Sequence, residues 1–121
     1  MISPNNAFVI QQHTTPEGCH WDLMLQMGDV LWTWRMAVSP EQINTACLTI
    51  ERIFDHPLRF LSYEGPVQNN TGTVKIADQG LFHLMSESTD QLCVDLQGSI
   101  LQGKFTLTRQ SANLWLFVHR A

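Results

Sequence analysis

Lysine is scarce in this sequence, because only Lys75 and Lys104 occur among 121 residues. Seven basic residues stand against eleven acidic ones, and the formal net charge is -4. Binding of nucleic acid over a broad surface needs clustered Lys and Arg to neutralise the phosphates. The charge balance therefore argues against a general nucleic-acid binder and restricts any such role to a local site.

Cysteine and long apolar runs are also sparse. Cys19, Cys47 and Cys93 are widely spaced and form no C-x-x-C pair, which argues against a disulfide framework and a structural zinc site. No apolar run approaches the roughly 20 residues that span a bilayer, and the first residues lack the pattern of a secretory signal. We expect a cytoplasmic protein with reduced thiols and no membrane association.

Short apolar segments separated by turn residues make up most of the chain, and 44% of its residues are hydrophobic. Many short strands at this spacing indicate an all-β fold. We expect a single domain over residues 1–121, a monomer, built as a small antiparallel β-barrel of about eight strands. The segments predicted as strands are 7–12, 20–27, 30–36, 47–53, 58–63, 72–77, 80–85, 91–96, 103–109 and 114–119.

At most one short helix is expected, in the segment "SPEQINTA" at residues 39–46. Ser39 would be its N-cap, Pro40 its first helical residue and Gln42 the partner of Ser39 in a capping box. The helix would be no longer than one or two turns.

The segment 20–36 has the pattern of a β-hairpin, with Gly28-Asp29 as a two-residue turn between two strands. In that register the apolar side chains share one face, while His20, Asp22 and Arg35 lie on the other. Asp22 is then directly opposite Arg35, within cross-strand reach. The other predicted cross-strand pairs are Met27 with Val30, Leu25 with Trp32, and Leu23 with Trp34.

His20 and Asp22 share a strand face, and the turn after His13 can bring that histidine beside them. Two imidazoles and one carboxylate are donors that suit Mn, Fe, Co or Zn. An open site of this kind lets a divalent ion bind a substrate oxygen and activate water. The spacing alone also fits a polar outer face on which Asp22 pairs with Arg35, a pair worth only about 0.2–1 kcal/mol when exposed.

The segment "FVIQQH" followed by "HWDLMLQ" resembles the opening of the phosphoesterase domain of bacterial DNA ligase D. In that family an apolar strand ending in Q-x-H is followed by H-[YW]-D-[FL]-x-L-E. The resemblance continues in the same order over about residues 8–119. The further matching segments are "DVLWTW", "FDHPLRF", "YEGPV", "GTVKIADQG", "LQGSILQGKFTLTR" and "NLWLFVH".

This resemblance implies a β-barrel hydrolase that trims 3′ ends carrying a phosphate or a ribonucleotide during DNA end joining. It implies that His13, His20 and Asp22 bind a divalent metal, typically Mn²⁺, with Zn²⁺ or Co²⁺ as alternatives. It also implies that His13 and His56 take part in catalysis, His56 as a phosphate contact or general acid. The partners would be DNA or RNA 3′ ends and a separate ligase or polymerase acting in trans.

The sequence departs from the family pattern at several positions, which include Leu48, near another expected arginine. Met24 stands where the family usually has a phosphate-binding arginine, Phe60 stands in place of a tyrosine, and Phe54 in place of an acid. Arg35, on the predicted site face, could supply a guanidinium for a phosphoryl oxygen instead. The alternative function is a catalytically impaired nucleic-acid-binding or scaffolding module of the same fold.

Overall fold

The computed structural model describes residues 6–43, 47–67 and 72–120. These residues form nine strands and two short 3-10 helices, Pro40–Gln42 and Leu58–Leu61. The strands are β1 (Asn6–Thr15), β2 (Gly18–Met27), β3 (Val30–Met36), β4 (Leu48–Pro57), β5 (Gly65–Pro66), β6 (Thr73–Ser88), β7 (Gln91–Gly98), β8 (Gln102–Ser111) and β9 (Leu114–Arg120). No helix in the described part of the chain is long and apolar enough to cross a membrane.

The strands form a closed antiparallel ring. The order is β1-β2-β3-β4-β9-β8-β7-β6, with β6 pairing back to β1 and the short β5 added beside β6. Closure gives each of the eight ring strands a partner on both sides within the described part of the chain. The expected all-β fold, a small antiparallel barrel of about eight strands, is confirmed.

One face of each ring strand points inward and forms the main hydrophobic core. Leu23, Trp34, Phe82 and Phe117 are fully buried there, and the rings of Trp34 and Trp115 meet edge to face with centroids 5.6 Å apart. Because strand side chains alternate, the residues between these core positions point outward. The candidate functional residues lie on this outward face.

The hairpin β2–β3 has the predicted register. Met27 pairs with Val30, Leu25 with Trp32, Leu23 with Trp34, and Asp22 with Arg35. The turn residue Gly28 has φ +69°, a value that a two-residue hairpin turn requires and that glycine adopts without strain.

A second, smaller group of apolar residues is buried outside the ring, and we call it the outer apolar cluster. Its buried members Val9, Met24 and Leu31 come from β1, β2 and β3, and Leu58, Phe60, Leu61 and Ile76 pack against them. Predicting a strand at residues 58–63 was wrong, because Leu58–Leu61 is a 3-10 helix. Its apolar side chains cover the outward face of the hairpin instead of extending the sheet.

Two further predictions need correction. Residues 72–77 and 80–85 are not separate strands, since β6 runs unbroken from Thr73 to Ser88. The predicted helix at 39–46 is present only as Pro40–Gln42, with the Ser39 N–H donating to Gln42 Oε1 at 3.3 Å. Residues 44–46 of that prediction lie outside the described part of the chain.

Candidate active site

The predicted site residues lie side by side on three adjacent strands. On β1 and β2, His13 is the cross-strand partner of His20, and Gln11 is the partner of Asp22. On β3, Arg35 is opposite Asp22. All five side chains point outward from the ring, as strand alternation requires. The β1–β2 hairpin, which turns at Pro16-Glu17, thus brings His13 to the other two predicted ligands.

The two imidazoles and the carboxylate converge. One ligand atom from each of His13, His20 and Asp22 lies within 4.8 Å of the other two. The two imidazole rings meet edge to face with centroids 4.8 Å apart, and His20 Nε2 lies 3.3 Å from Asp22 Oδ2. Three donors this close together could share one cation.

Two buried atoms of this group lack hydrogen bonds. His20 Nε2 and Asp22 Oδ1 have no hydrogen-bond partner among the residues described, and the residue Asp22 is only 4% exposed. Buried polar atoms are normally hydrogen-bonded, and an unpaired buried charge is costly. A divalent cation held by N, N and O donors would satisfy both atoms, so the residues present fit a metal of the Mn, Fe, Co or Zn class.

Burial and neighbouring charges perturb both groups. Burial raises the pKa of Asp22 above its ordinary value, although the nearby His20 and Arg35 partly oppose this. Burial likewise lowers the pKa of His20, with Asp22 acting in the opposite direction. The imidazole is therefore held toward the neutral form, which is the form that binds metals.

His56 of β4 belongs to the same surface. Its Nδ1 lies 2.9 Å from Thr33 Oγ1, and Thr33 Oγ1 donates its single proton to the carbonyl of Leu31 at 3.1 Å. The hydroxyl can then only accept from the ring, so Nδ1 carries the proton and Nε2 is the basic nitrogen when His56 is neutral. Burial lowers the pKa of His56, while the charge of Asp22 raises it in part.

Arg35 occupies the position predicted from the hairpin register, but its contact with Asp22 is loose. Arg35 Nε lies 3.9 Å from Asp22 Oδ1, and 46% of the Arg35 side chain is exposed. At that distance the pair is not a hydrogen bond, and an exposed pair contributes little. The guanidinium therefore lies beside the site without a hydrogen bond to this carboxylate.

Two residues that depart from the family pattern, Met24 and Phe60, belong to the same apolar surroundings. Met24 is 1% exposed and lies in the outer apolar cluster with Phe60 packed against it. A methionine and a phenylalanine thus share one apolar cluster where the family usually has an arginine and a tyrosine. Apolar packing has replaced two polar side chains at this edge of the site.

Two supporting residues were not predicted. Gln11 is buried, and its side-chain amide donates to the carbonyls of Phe60 at 2.9 Å and Tyr63 at 3.1 Å. Thr33, also buried, holds His56. Gln11 is two residues before His13, and Thr33 is two before Arg35, so the period-two alternation of each strand could have indicated both.

Comparisons with known proteins identify the family to which this sequence is similar. The family model of the DNA Ligase D 3′-phosphoesterase domain matches residues 11–109. The multifunctional non-homologous end joining protein LigD of Mycobacterium bovis is 30% identical over 123 residues, covering 95% of this chain and 16% of that protein. LigD of Mycobacterium tuberculosis has the same values.

A more distant relative, LigD of Mycolicibacterium smegmatis, is 24% identical over 130 residues, covering 96% of this chain and 17% of that protein. The chain therefore spans about one sixth of the length of these curated relatives. The family match covers most of the described residues, including His13, His20, Asp22 and His56. The chain belongs to the DNA Ligase D 3′-phosphoesterase domain family.

Proposed function

We propose that this chain is a metal-dependent phosphoesterase that removes a 3′-phosphate or a 3′-terminal ribonucleotide from DNA ends during end repair. The observation that carries the proposal is the convergence of His13, His20 and Asp22, whose ligand atoms lie within 4.8 Å of one another. Family membership and the end-joining relatives supply the substrate class. Ligation and synthesis at the same end would be the task of a ligase or polymerase acting together with this domain.

In this proposal His13, His20 and Asp22 hold the metal, with Mn²⁺ as the expected ion and Zn²⁺ or Co²⁺ as alternatives. When bound, a divalent cation supplies Lewis-acid chemistry at the phosphoryl group. The half-buried imidazoles and the buried carboxylate leave room for substrate only on the outward side of the ring. Water is thus excluded from behind the site, which strengthens its electrostatic interactions.

Arg35 binds a non-bridging phosphoryl oxygen. Its planar guanidinium suits that contact, and its position opposite Asp22 places it beside the three ligands. The half-exposed side chain leaves the N–H groups accessible to substrate. Arg35 would then take the role that the family assigns to the arginine replaced here by Met24.

His56 transfers a proton at Nε2. Thr33 fixes the Nδ1 proton, and burial lowers the pKa of the ring, so the neutral form, whose basic nitrogen is Nε2, is favoured. Water adds to phosphorus, the bond between phosphorus and the 3′ oxygen breaks, and that oxygen gains a proton. The products are a 3′-hydroxyl and either inorganic phosphate or, from a ribonucleotide end, a ribonucleoside 5′-phosphate.

The second candidate function is a nucleic-acid-binding or scaffolding module without efficient turnover. The observation that favours it is the burial of Met24 in an apolar cluster with Phe60, since these replace polar family residues. The same ligands and barrel would remain, but the hold on the phosphoryl group would be weaker. Activity measurements separate the two candidates.

The test is release of inorganic phosphate or of a terminal ribonucleotide from labelled primers, with Mn²⁺, Zn²⁺ or Co²⁺ added to metal-free protein. We expect release with at least one ion and a loss of about 10²-fold or more in His20→Ala, since one ligand is removed. His83→Ala, which changes a histidine of β6 outside the cluster, is the matched control and should keep its activity.

Each outcome has a defined meaning. Primer binding without release under every ion would reject the enzyme and support the module. Release that survives in His20→Ala would reject the proposed metal site. Hydrolysis of a nitrophenyl phosphate but not of the primers would show a phosphoesterase for small substrates and reject the DNA-end assignment.

A further inference from the structure

Phe54 is an exposed aromatic side chain beside the candidate active site. It is 73% exposed, whereas the other exposed large apolar residues in the described chain are aliphatic and 37–46% exposed. Its ring lies nearly parallel to that of His56, with centroids 4.8 Å apart and an interplanar angle of 23°. One face of Phe54 is therefore held by a candidate catalytic residue while much of the side chain remains in solvent.

The backbone holds Phe54 in this place. The pairing of β3 with β4 shifts between Leu31 and Thr33, so that two residues of β4, Phe54 and Asp55, stand opposite Trp32 alone. An extra residue of this kind is a β-bulge, which re-aims side chains and is frequent beside active sites. Asp55 pairs with Arg52 at 3.1 Å, and the exposed Phe54 ring stacks on His56.

Phe54 also lines an open cleft of about 570 Å³, together with Arg35 and Arg52. Two guanidinium groups and one carboxylate, that of Glu51, are the charged groups of its lining. Arg52 is fixed by Asp55 and by the faces of the Trp32 and Trp34 rings, 4.8 and 4.9 Å from their centroids. An aromatic face bordered by positive charge is the combination that binds single-stranded nucleic acid.

We propose that Phe54 is a stacking platform for a nucleobase at or next to the 3′ end, with Arg35 and Arg52 lining the path of the strand's backbone. The proposal rests on the proposed function, because the end to be trimmed must lie over His13, His20 and Asp22. The base would stack on Phe54, whose other contact is His56. The terminal phosphate would then lie toward Arg35, which both lines the cleft and borders the metal ligands.

The stacking platform gives a function to Phe54, which stands where the family pattern has an acid. An acid there, as in the family pattern, would place a negative charge beside the substrate backbone, whereas a phenylalanine provides a face that any base can use. It also offsets the loss of polar contacts at Met24 and Phe60. This chain would then bind the 3′ end of the nucleic acid more through a nucleobase and less through the terminal phosphate.

The test compares binding of fluorescent single-stranded oligonucleotides with a 3′-phosphate, measured by anisotropy without added metal so that no turnover occurs. One series carries all its bases, and in the other a single abasic site is moved through the last three nucleotides. Phe54→Ala should weaken binding of the intact oligonucleotide about tenfold. The same substitution should change little when the missing base is the one that stacks.

Matched variants separate stacking from general apolar contact. Phe54→Trp should bind the intact oligonucleotide at least as well as the unaltered protein, while Phe54→Leu should bind as weakly as Phe54→Ala, because leucine has no aromatic face. Leu81→Ala, which removes a 46% exposed side chain of β6, should have no effect. Thermal unfolding of each variant shows whether the fold is retained.

Three results would overturn the platform. Unaltered affinity in Phe54→Ala, an equal loss for intact and all abasic oligonucleotides, or no oligonucleotide binding by the unaltered protein would each do so. Failure of the proposed function is separate: base-dependent binding through Phe54 without phosphate release under Mn²⁺ would leave the platform standing and support the binding module.

Discussion

His20 Nε2 lies 3.3 Å from Asp22 Oδ2, and among the residues described His20 Nε2 and Asp22 Oδ1 satisfy no hydrogen-bond geometry. Burial disfavours the charged form of each group, raising the pKa of Asp22 and lowering that of His20. In the tautomer with the ring proton on Nδ1, His20 Nε2 and the carboxylate oxygen would both offer lone pairs to a third atom. The arrangement is unfavourable without a cation and favourable with one.

Asp22→Asn should therefore stabilise the metal-free protein and abolish its response to metal. The amide removes a buried charge and can donate a hydrogen bond to His20, so we expect a gain of about 1 kcal/mol, or roughly 3–6 °C in melting temperature. Melting with and without Mn²⁺ measures both effects. A metal-induced shift equal to that of the unaltered protein would show that Asp22 is not a ligand.

Acidification should destabilise the metal-free protein through His56. Burial holds the pKa of His56 below 6.5 in the folded state. As pH falls through 6.5 the unfolded chain takes up a proton that the folded chain resists, so stability is lost. Compared with His56→Gln, the unaltered protein should lose melting temperature between pH 8 and pH 5. If the difference in melting temperature between the two proteins stays constant over this pH range, His56 is not the cause of the destabilisation.

The local part of the site could be predicted from the sequence. The two-residue turn at Gly28-Asp29 and the alternation of apolar and polar residues determine the β2–β3 register, and with it the pairing of Asp22 with Arg35. A slip of one residue would move every core side chain of the hairpin to the outward face. The register is therefore encoded within a short stretch of chain and needs no knowledge of the remaining strands.

What covers the site could not be predicted, because it depends on contacts between distant segments. The apolar residues of 58–63 suit a strand, but Pro57 ends β4 and the following turn packs on the outer apolar cluster. Gln11 then satisfies the carbonyls of Phe60 and Tyr63 that a strand partner would have bound. Asp22 is therefore buried, although its spacing also fitted a polar face exposed to solvent.

Contacts between distant segments also explain why β6 runs unbroken through residues that the sequence predicts as a break between two strands. The "DQG" at 78–80 is typical of a turn, yet the Asp78 carboxylate accepts hydrogen bonds from the N–H groups of Ser99, Ile100 and Leu101 in the next hairpin. A Cβ at Gly80 would overlap the carbonyl of Gln97, so glycine serves the close approach of β7. Both residues act on other parts of the chain and not as a local turn.

Arg35→Ala should impair catalysis far more than stability. Losing a guanidinium from the phosphoryl oxygen should lower kcat/KM about 10²-fold, while loss of its exposed pairing with Asp22 should cost no more than about 1 kcal/mol. Arg35→Lys should recover only part of the activity, because an ammonium group lacks the planar fork. Primer-cleavage kinetics and urea unfolding measure the two effects, and an unchanged rate in a folded variant would exclude the phosphate-binding role.

Thr33→Val should reduce turnover while preserving the fold and the affinity for primers. Valine keeps the shape of this buried side chain but removes the oxygen that holds the Nδ1 proton of His56. We expect kcat to fall about tenfold through misorientation of the ring, with little change in KM. Thr33→Ser retains the hydroxyl and should restore the rate. Equal rates in the valine and serine variants would show that the contact does not position His56.

Restoring the arginine of the family pattern by Met24→Arg should unfold or strongly destabilise the protein. Met24 is 1% exposed within the outer apolar cluster, and burying an unpaired guanidinium there should cost about 3 kcal/mol or more.

Adding Phe60→Tyr to Met24→Arg should recover part of the loss, since the phenol offers an oxygen to the guanidinium and the two positions pack against the same cluster. A double-mutant cycle from chemical unfolding gives their coupling. Additive losses would mean that the two departures are independent. A favourable coupling would mean that the two apolar residues act as a unit, so that a phosphate contact like that of the family pattern requires both changes together.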